Sequence, residues 1–269
     1  VPFLGFTLAF LLLPAASIVI RSFQDNAGNL TLQNILDLRQ PTILAAYEVS
    51  IRLSLVTAAI GGLIGFLMAY AITIGGLTGA RSALLTFSGV ASNFAGVPLA
   101  FAFIATLGRL GLLTEWLNKA GIDLYGTGFN LYTFWGLTLT YLYFQIPLTI
   151  LILVPAFDGL RREWREAAEN LGATSYEYWC YVALPILLPS LLGTMILLFG
   201  NAFGAYATAY ALTGGQINLV AILIGAQISG DALQNQGLGN ALALGMVVVM
   251  ALSIIAYSLL QRRTARWLK

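Results

Sequence analysis

The residues best equipped for chemistry are gathered in one stretch, 158–185, which reads DGLRREWREAAENLGATSYEYWCYVALP. Arginines 161, 162 and 165 alternate there with Glu163, Glu166 and Glu169, so the segment must work in water or against another protein. Glu166 offers a carboxylate to a basic or amide partner, and Ala167 and Ala168 beside it permit close approach. Leu160, Trp164, Ala167, Ala168 and Leu171 recur at spacings of three and four, which predicts a helix with a narrow apolar stripe. Gly172 can end that helix in a left-handed conformation. Thr174 or Ser175 can then cap a second short helix through Tyr176, Tyr178, Trp179 and Tyr181, before Pro185 and Pro189 lead onward. Two readings fit this helix–turn–helix. It is an interfacial hairpin anchored at lipid headgroups by Trp164, Trp179 and the tyrosines, or a rigid lever for a partner protein.

Other chemistry is poorly supplied. The chain has no histidine and one cysteine, Cys180, which excludes an internal disulfide and the common zinc, haem and Cys/His catalytic arrangements; no metal site is expected. No G-x-x-x-x-G-K-S/T phosphate loop occurs, so ATP chemistry would belong to a separate chain. An intramembrane enzyme would lack both a histidine to activate a serine and a carboxylate pair within a span. The 13 basic residues fall in small clusters at the ends of apolar runs, a pattern that fixes membrane topology and does not bind nucleic acid.

The elements that position the loop follow from composition. With 59% hydrophobic and 9% charged residues and a mean hydropathy of +0.84, the chain has too little polar surface for a water-soluble globule. Six apolar runs, about 2–20, 54–74, 83–106, 131–154, 187–212 and 241–260, reach the roughly 20 residues a spanning helix needs. The first reads as a span and not a cleaved signal, because its apolar character continues past Ala16. Only helices suit these runs, which lack barrel alternation, so the expected fold is an all-α integral membrane protein. Alternating the loops puts Arg81, the arginines of 158–185 and the tail Arg262, Arg263, Arg266 and Lys269 on one side, which is then the cytoplasm. Arg21, Arg39, Arg52, Arg109 and Lys119 fall opposite, diluted by Asp25, Asp37, Glu48, Glu115, Asp123 and Asp231. Both termini are expected inside, and the three external loops are long enough for short interfacial helices.

The order of residues in 158–185 narrows the choice. Glu166, Ala167 and Ala168, three residues, Gly172, nine residues, then Val182, Ala183, Leu184 and Pro185 closely resembles the EAA loop of permease subunits in bacterial binding-protein-dependent ABC importers. That pattern is EAA, three residues, G, nine residues, then I, any residue, L and P; Val182 for isoleucine is the single departure. The resemblance implies a single six-helix permease domain over 1–269 of the type I importer fold, in the inner membrane. It also implies that the helix from about 162 to 171 docks on a cytoplasmic ATPase, with Glu166, Ala167, Ala168, Leu171, Gly172 and Pro185 forming the coupling site. Implied partners are two ATPases carrying ATP and magnesium, a second permease subunit, commonly a different chain, and an external solute-binding protein; this chain itself needs no cofactor.

A solute pathway is expected along the polar residues of the spans: Asn201, Tyr206, Thr208 and Tyr210 in the fifth, Ser92 and Asn93 in the third with a kink at Pro98, Tyr141 and Gln145 in the fourth. The competing reading for any one of them is helix packing, as for the pairs Gly61 with Gly65 and Gly200 with Gly204. The spans carry almost no ionisable residue, which argues against an ion-coupled secondary transporter, the main alternative. The long first external loop and the TGG after the fifth span look most like the spermidine and putrescine branch of the family, so polyamine import is the leading substrate expectation.

Overall fold

The computed structural model describes residues 2–25, 28–229 and 235–265; Asp231, Arg266 and Lys269, used above for orientation, lie outside them. Among the described residues all regular structure is helical, apart from one isolated bridge between Gln24 and Leu30. In chain order, α1 (Pro2–Thr7) passes through a π-helical turn into α2 (Leu13–Ser22), and a short α3 (Gln33–Asp37) precedes the long α4 (Pro41–Thr73). Then come α5 (Arg81–Ala91), α6 (Val97–Leu107), α7 (Leu112–Lys119) and α8 (Phe134–Asp158). The charged loop supplies α9 (Arg162–Asn170) and α10 (Ser175–Tyr178), followed by α11 (Leu184–Phe203), α12 (Tyr206–Thr213), α13 (Val220–Ser229) and α14 (Gln236–Ala265).

Among the described residues, six helical runs are long and apolar enough to cross a membrane: Gly5–Ser22, Pro41–Thr73, Val97–Lys119, Phe134–Asp158, Ser175–Phe203 and Gln236–Gln261. The third is interrupted between α6 and α7, where Gly108 is extended. Helix α5 packs along α8, and Arg81 at its start donates two hydrogen bonds, of 3.0 and 2.5 Å, to the carboxylate of Asp158 at the end of α8. The start of α5, the end of α8 and the charged loop therefore share one end of the bundle. Helices α3 and α7 and the starts of α4 and α8 lie at the other.

The trunk is α4, α8 and α11. In α8, 61% of the most apolar window is buried, against 6% in the first and last spans, so α8 is central and those two are peripheral. Glycines on α4 make the contact close. A Cβ on Gly61 would stand 3.1 Å from Gln145 Oε1, one on Gly65 would be 2.6 Å from Thr149 Cγ2, and one on Gly62 would press Met195 of α11 at 3.3 Å. Small residues at four-residue spacing thus let α4 and α8 approach in lipid, where hydrophobicity cannot drive helices together. Gly200 serves α14 in the same way, facing Met250.

Three boundaries differ from those predicted. Helix α4 begins at Pro41, with the proline in its first turn, and at 33 residues it is roughly 50 Å long, well beyond a hydrocarbon core of about 30 Å; the apolar run detected only the part in lipid. The third span is not continuous over 83–106: it breaks at Ser92–Gly96, and Pro98 opens α6 instead of kinking a longer helix. The fifth span starts earlier than 187 and breaks within 187–212, at Gly204–Ala205. Its helix runs unbroken from Ser175 to Phe203 because Trp179–Ala183 widen into a π turn in which the Leu184 N–H donates to the Trp179 carbonyl. That turn eases the ring of Pro185 into the helix. Gly204 and Ala205 then separate α11 from α12.

Candidate coupling loop and solute pathway

Helix α9 carries no buried residue. It is held by its own charges: Arg162 Nε donates to Glu166 Oε1 at 2.8 Å and Arg165 Nε to Glu169 Oε1 at 2.9 Å, both one turn apart. Arg161 lies over the ring of Trp164. The helix ends in a Schellman motif, with the Ala173 N–H donating to the Ala168 carbonyl and the Gly172 N–H to the Glu169 carbonyl, both at 3.0 Å. Gly172 has φ +82° with no atom within 4 Å of where a Cβ would stand, so backbone conformation and not crowding requires glycine there. Leu171 beside it is 88% exposed.

The next arm is anchored. Of the two predicted caps Thr174 takes the position: its Oγ1 accepts from the Glu177 N–H at 3.3 Å while Glu177 Oε2 accepts from the Thr174 N–H at 2.7 Å, a reciprocal capping box. Tyr178 is buried and Trp179 meets the ring of Tyr70 on α4 edge-on at 5.2 Å. Trp179 belongs to the cluster that includes Ile72, Phe157 and Leu187 from the ends of α4, α8 and α11. A solvated helix is therefore joined, through one fixed turn, to an arm continuous with α11. Pro185 is half-buried at the start of α11.

The predicted pathway residues separate into two groups. Asn201, Tyr206 and Thr208 border a cavity of about 480 Å³ whose walls also include Ala95 and Gly96 from the first break, Phe144 from α8, and Gly200 and Gly204–Ala207 around the second. Asn201 and Tyr206 are exposed and Thr208 is buried. Tyr210 stacks on Tyr206 with centroids 5.5 Å apart. Ser92 and Asn93 occupy the first break without bordering the cavity, and the Asn93 amide donates to the Gly89 carbonyl at 2.9 Å.

Tyr141 and Gln145 do not border it either. Both are fully buried in the trunk. Tyr141 Oη donates to the Ala205 carbonyl at 2.8 Å, and Gln145 Nε2 donates to Thr57 Oγ1 at 3.3 Å and to the Leu198 carbonyl at 3.2 Å. The Tyr141 hydroxyl and the Gln145 amide nitrogen tie α8 to its neighbours, the packing alternative named for them above. The wall residues missed by counting polar side chains are mostly glycine and alanine; in sequence Gly200 and Gly204 read as a packing pair, and Gly96–Val97–Pro98 carries a helix-start signature.

Residues 97–266 match the family described as binding-protein-dependent transport system inner membrane component. The sulfate transport system permease protein CysT of Escherichia coli is 29% identical over 214 residues, covering 78% of this chain and 72% of that protein. The spermidine/putrescine transport system permease protein PotB of Haemophilus influenzae is 32% identical over 117 residues, covering 43% of this chain and 40% of that one. A chain from the crystal structure of a bacterial alginate ABC transporter, in complex with an alginate pentasaccharide-bound periplasmic protein, superposes with a TM-score of 0.76 at 16% identity, covering 97% of this chain and 92% of that chain. The helical trunk, the exposed loop helix and a family match that takes in α8, the loop and α11 agree: the chain belongs to the binding-protein-dependent inner membrane components, as a multi-pass permease subunit, not itself catalytic, of an ABC importer.

Proposed function

We propose that this subunit forms one half of a pathway for a small inorganic oxyanion, with sulfate the first candidate, and that α9 receives the movement of a cytoplasmic ATPase. The observation that carries the coupling role is the exposed α9, fixed by Gly172 to an arm that enters α11. In this reading Glu166, Ala167, Ala168 and Leu171 face the ATPase, which carries ATP and magnesium, and Gly172 and Pro185 set the angle of the lever. The end with Arg81 and α9 is cytoplasmic, as are both termini, and 1–269 works as one permease domain with a second, different permease subunit closing the pathway.

Support for an oxyanion comes from two sides. The relative named for sulfate is matched over 72% of its length, whereas the one named for spermidine and putrescine is matched over 40%. The polyamine expectation therefore yields to sulfate as the leading reading. The bordering residues of the 480 Å³ cavity include no carboxylate to meet a polyamine cation, and the starts of α6 and α12 at its edge favour negative charge. The assignment to an importer also removes the ion-coupled carrier and the intramembrane enzyme as readings. The test is uptake into vesicles containing the intact complex, its binding protein outside and ATP inside. Sulfate should accumulate with ATP hydrolysis and putrescine should not; the reverse overturns the substrate reading.

A further inference from the structure

We propose that Thr208 and Tyr141 are positioning residues: Thr208 joins the first break to α12, so that α6 and α12 move as a single leaf, and Tyr141 pins the pivot of that leaf, the turn at Ala205, to α8 of the trunk. The proposal rests on the reading of the cavity as the solute pathway. A break inside a spanning helix leaves backbone groups without partners, which is costly in lipid. At each break here a freed group is answered from a neighbouring element. The Gly96 N–H donates to Thr208 Oγ1 at 2.8 Å, and the Ala205 carbonyl accepts from Tyr141 Oη at 2.8 Å.

The two bonds form a chain. Thr208 lies on α12, just past the second break, so the first break is tied to α12. Tyr141 lies on α8, so the turn that begins α12 is tied to the trunk. Both turns have conformations suited to a swivel. Gly96 sits at φ 76°, ψ −151°, a region essentially restricted to glycine. Ala205, at φ −76°, ψ 75°, is the centre of an inverse γ-turn closed by the Tyr206 N–H on the Gly204 carbonyl at 2.8 Å. Helices α6 and α12 pack against each other; the first turn joins α6 to α5 and the second joins α12 to α11. Both turns border the same cavity. The hydroxyl of Tyr141 can be removed cleanly, because its ring is buried against Phe144 at 5.4 Å and would stay in place.

The experiment places a reporter thiol in the cavity by Asn201→Cys in a Cys180→Ser background. The complex with its ATPase subunits, in proteoliposomes, is exposed to a hydrophilic methanethiosulfonate reagent without nucleotide and after trapping with ATP and vanadate. Labelling should depend on nucleotide in the parent. Tyr141→Phe and Thr208→Val should each lose about fivefold of that dependence, the population shift that one net hydrogen bond supports. Thr208→Ser, which keeps the acceptor, should retain it. A defect of assembly alone changes the amount labelled and not the nucleotide ratio. Retention of the ratio in both Tyr141→Phe and Thr208→Val overturns the positioning roles and leaves the pathway standing. A parent thiol that is labelled equally with and without nucleotide overturns the moving leaf, and one that is unreactive in every state overturns the pathway reading as well. If Tyr141→Phe does not assemble, Thr208→Val against Thr208→Ser decides.

Discussion

Replacing Gly172 with valine tests the lever at its narrowest point. At φ +82° the position lies in the left-handed region, and an added Cβ meets no atom within 4 Å. The whole cost is therefore backbone strain, about 1–2 kcal/mol for a residue with a Cβ, and it falls on the Schellman turn that sets α9 against the arm entering α11. That strain lowers the population of the native turn roughly 5- to 30-fold. The spans are untouched, so insertion should be normal. In reconstituted vesicles, solute uptake and ATP hydrolysis are measured separately, and Gly172→Val should lower uptake per ATP within that range. Gly172→Asn supplies the discrimination, because asparagine tolerates left-handed backbone and should keep most of the coupling despite its bulk. Wild-type uptake per ATP in Gly172→Val would refute the reasoning. Equal damage from asparagine and valine would also refute it, since bulk against the ATPase would then be responsible.

Three further outcomes follow from contacts in the trunk and loop. Gly65→Val drives a side chain into Thr149 and should destabilise the α4–α8 contact by about 1–3 kcal/mol, read as a lower unfolding temperature in detergent, whereas Gly89→Ala in α5, where a Cβ meets nothing, should not. Arg81→Ala breaks a pair whose side chains are 37% and 43% exposed, so solvent screening leaves little to lose and the unfolding temperature should scarcely change by the same measurement. Thr174→Ala removes the capping box and should cost about 1 kcal/mol, seen as faster hydrogen exchange over the first turn of α10.

The loop was legible in the sequence because its determinants are local. Glu166, Ala168 and Gly172 at fixed spacing, and Thr174 or Ser175 ahead of a second short helix, point to a helix, a left-handed stop and a capped restart without reference to the rest of the chain; the reciprocal bonds with Glu177 select Thr174. The number of spans was legible for a similar reason, since a bilayer imposes one length on every crossing. The two breaks were not, because averaging hydrophobicity over 83–106 and 187–212 hides Gly96 and Gly204 among apolar neighbours. Tyr141 and Gln145 show the other limit. A polar side chain in a span can face a pathway or donate to a backbone carbonyl of a packed helix, and only the position of Ala205 and Leu198 across the helix contact distinguishes the two.

The central claim is that α9 is the contact with the motor, and cross-linking within the assembled importer tests it most directly. A photo-reactive amino acid placed at Leu171, 88% exposed at the end of α9, should join this chain to the ATPase subunit; the same group at Leu110, 99% exposed at the opposite end of the bundle, should not. Failure of the Leu171 site to capture the ATPase in a complex that hydrolyses ATP, or capture of the ATPase from Leu110, would contradict the account.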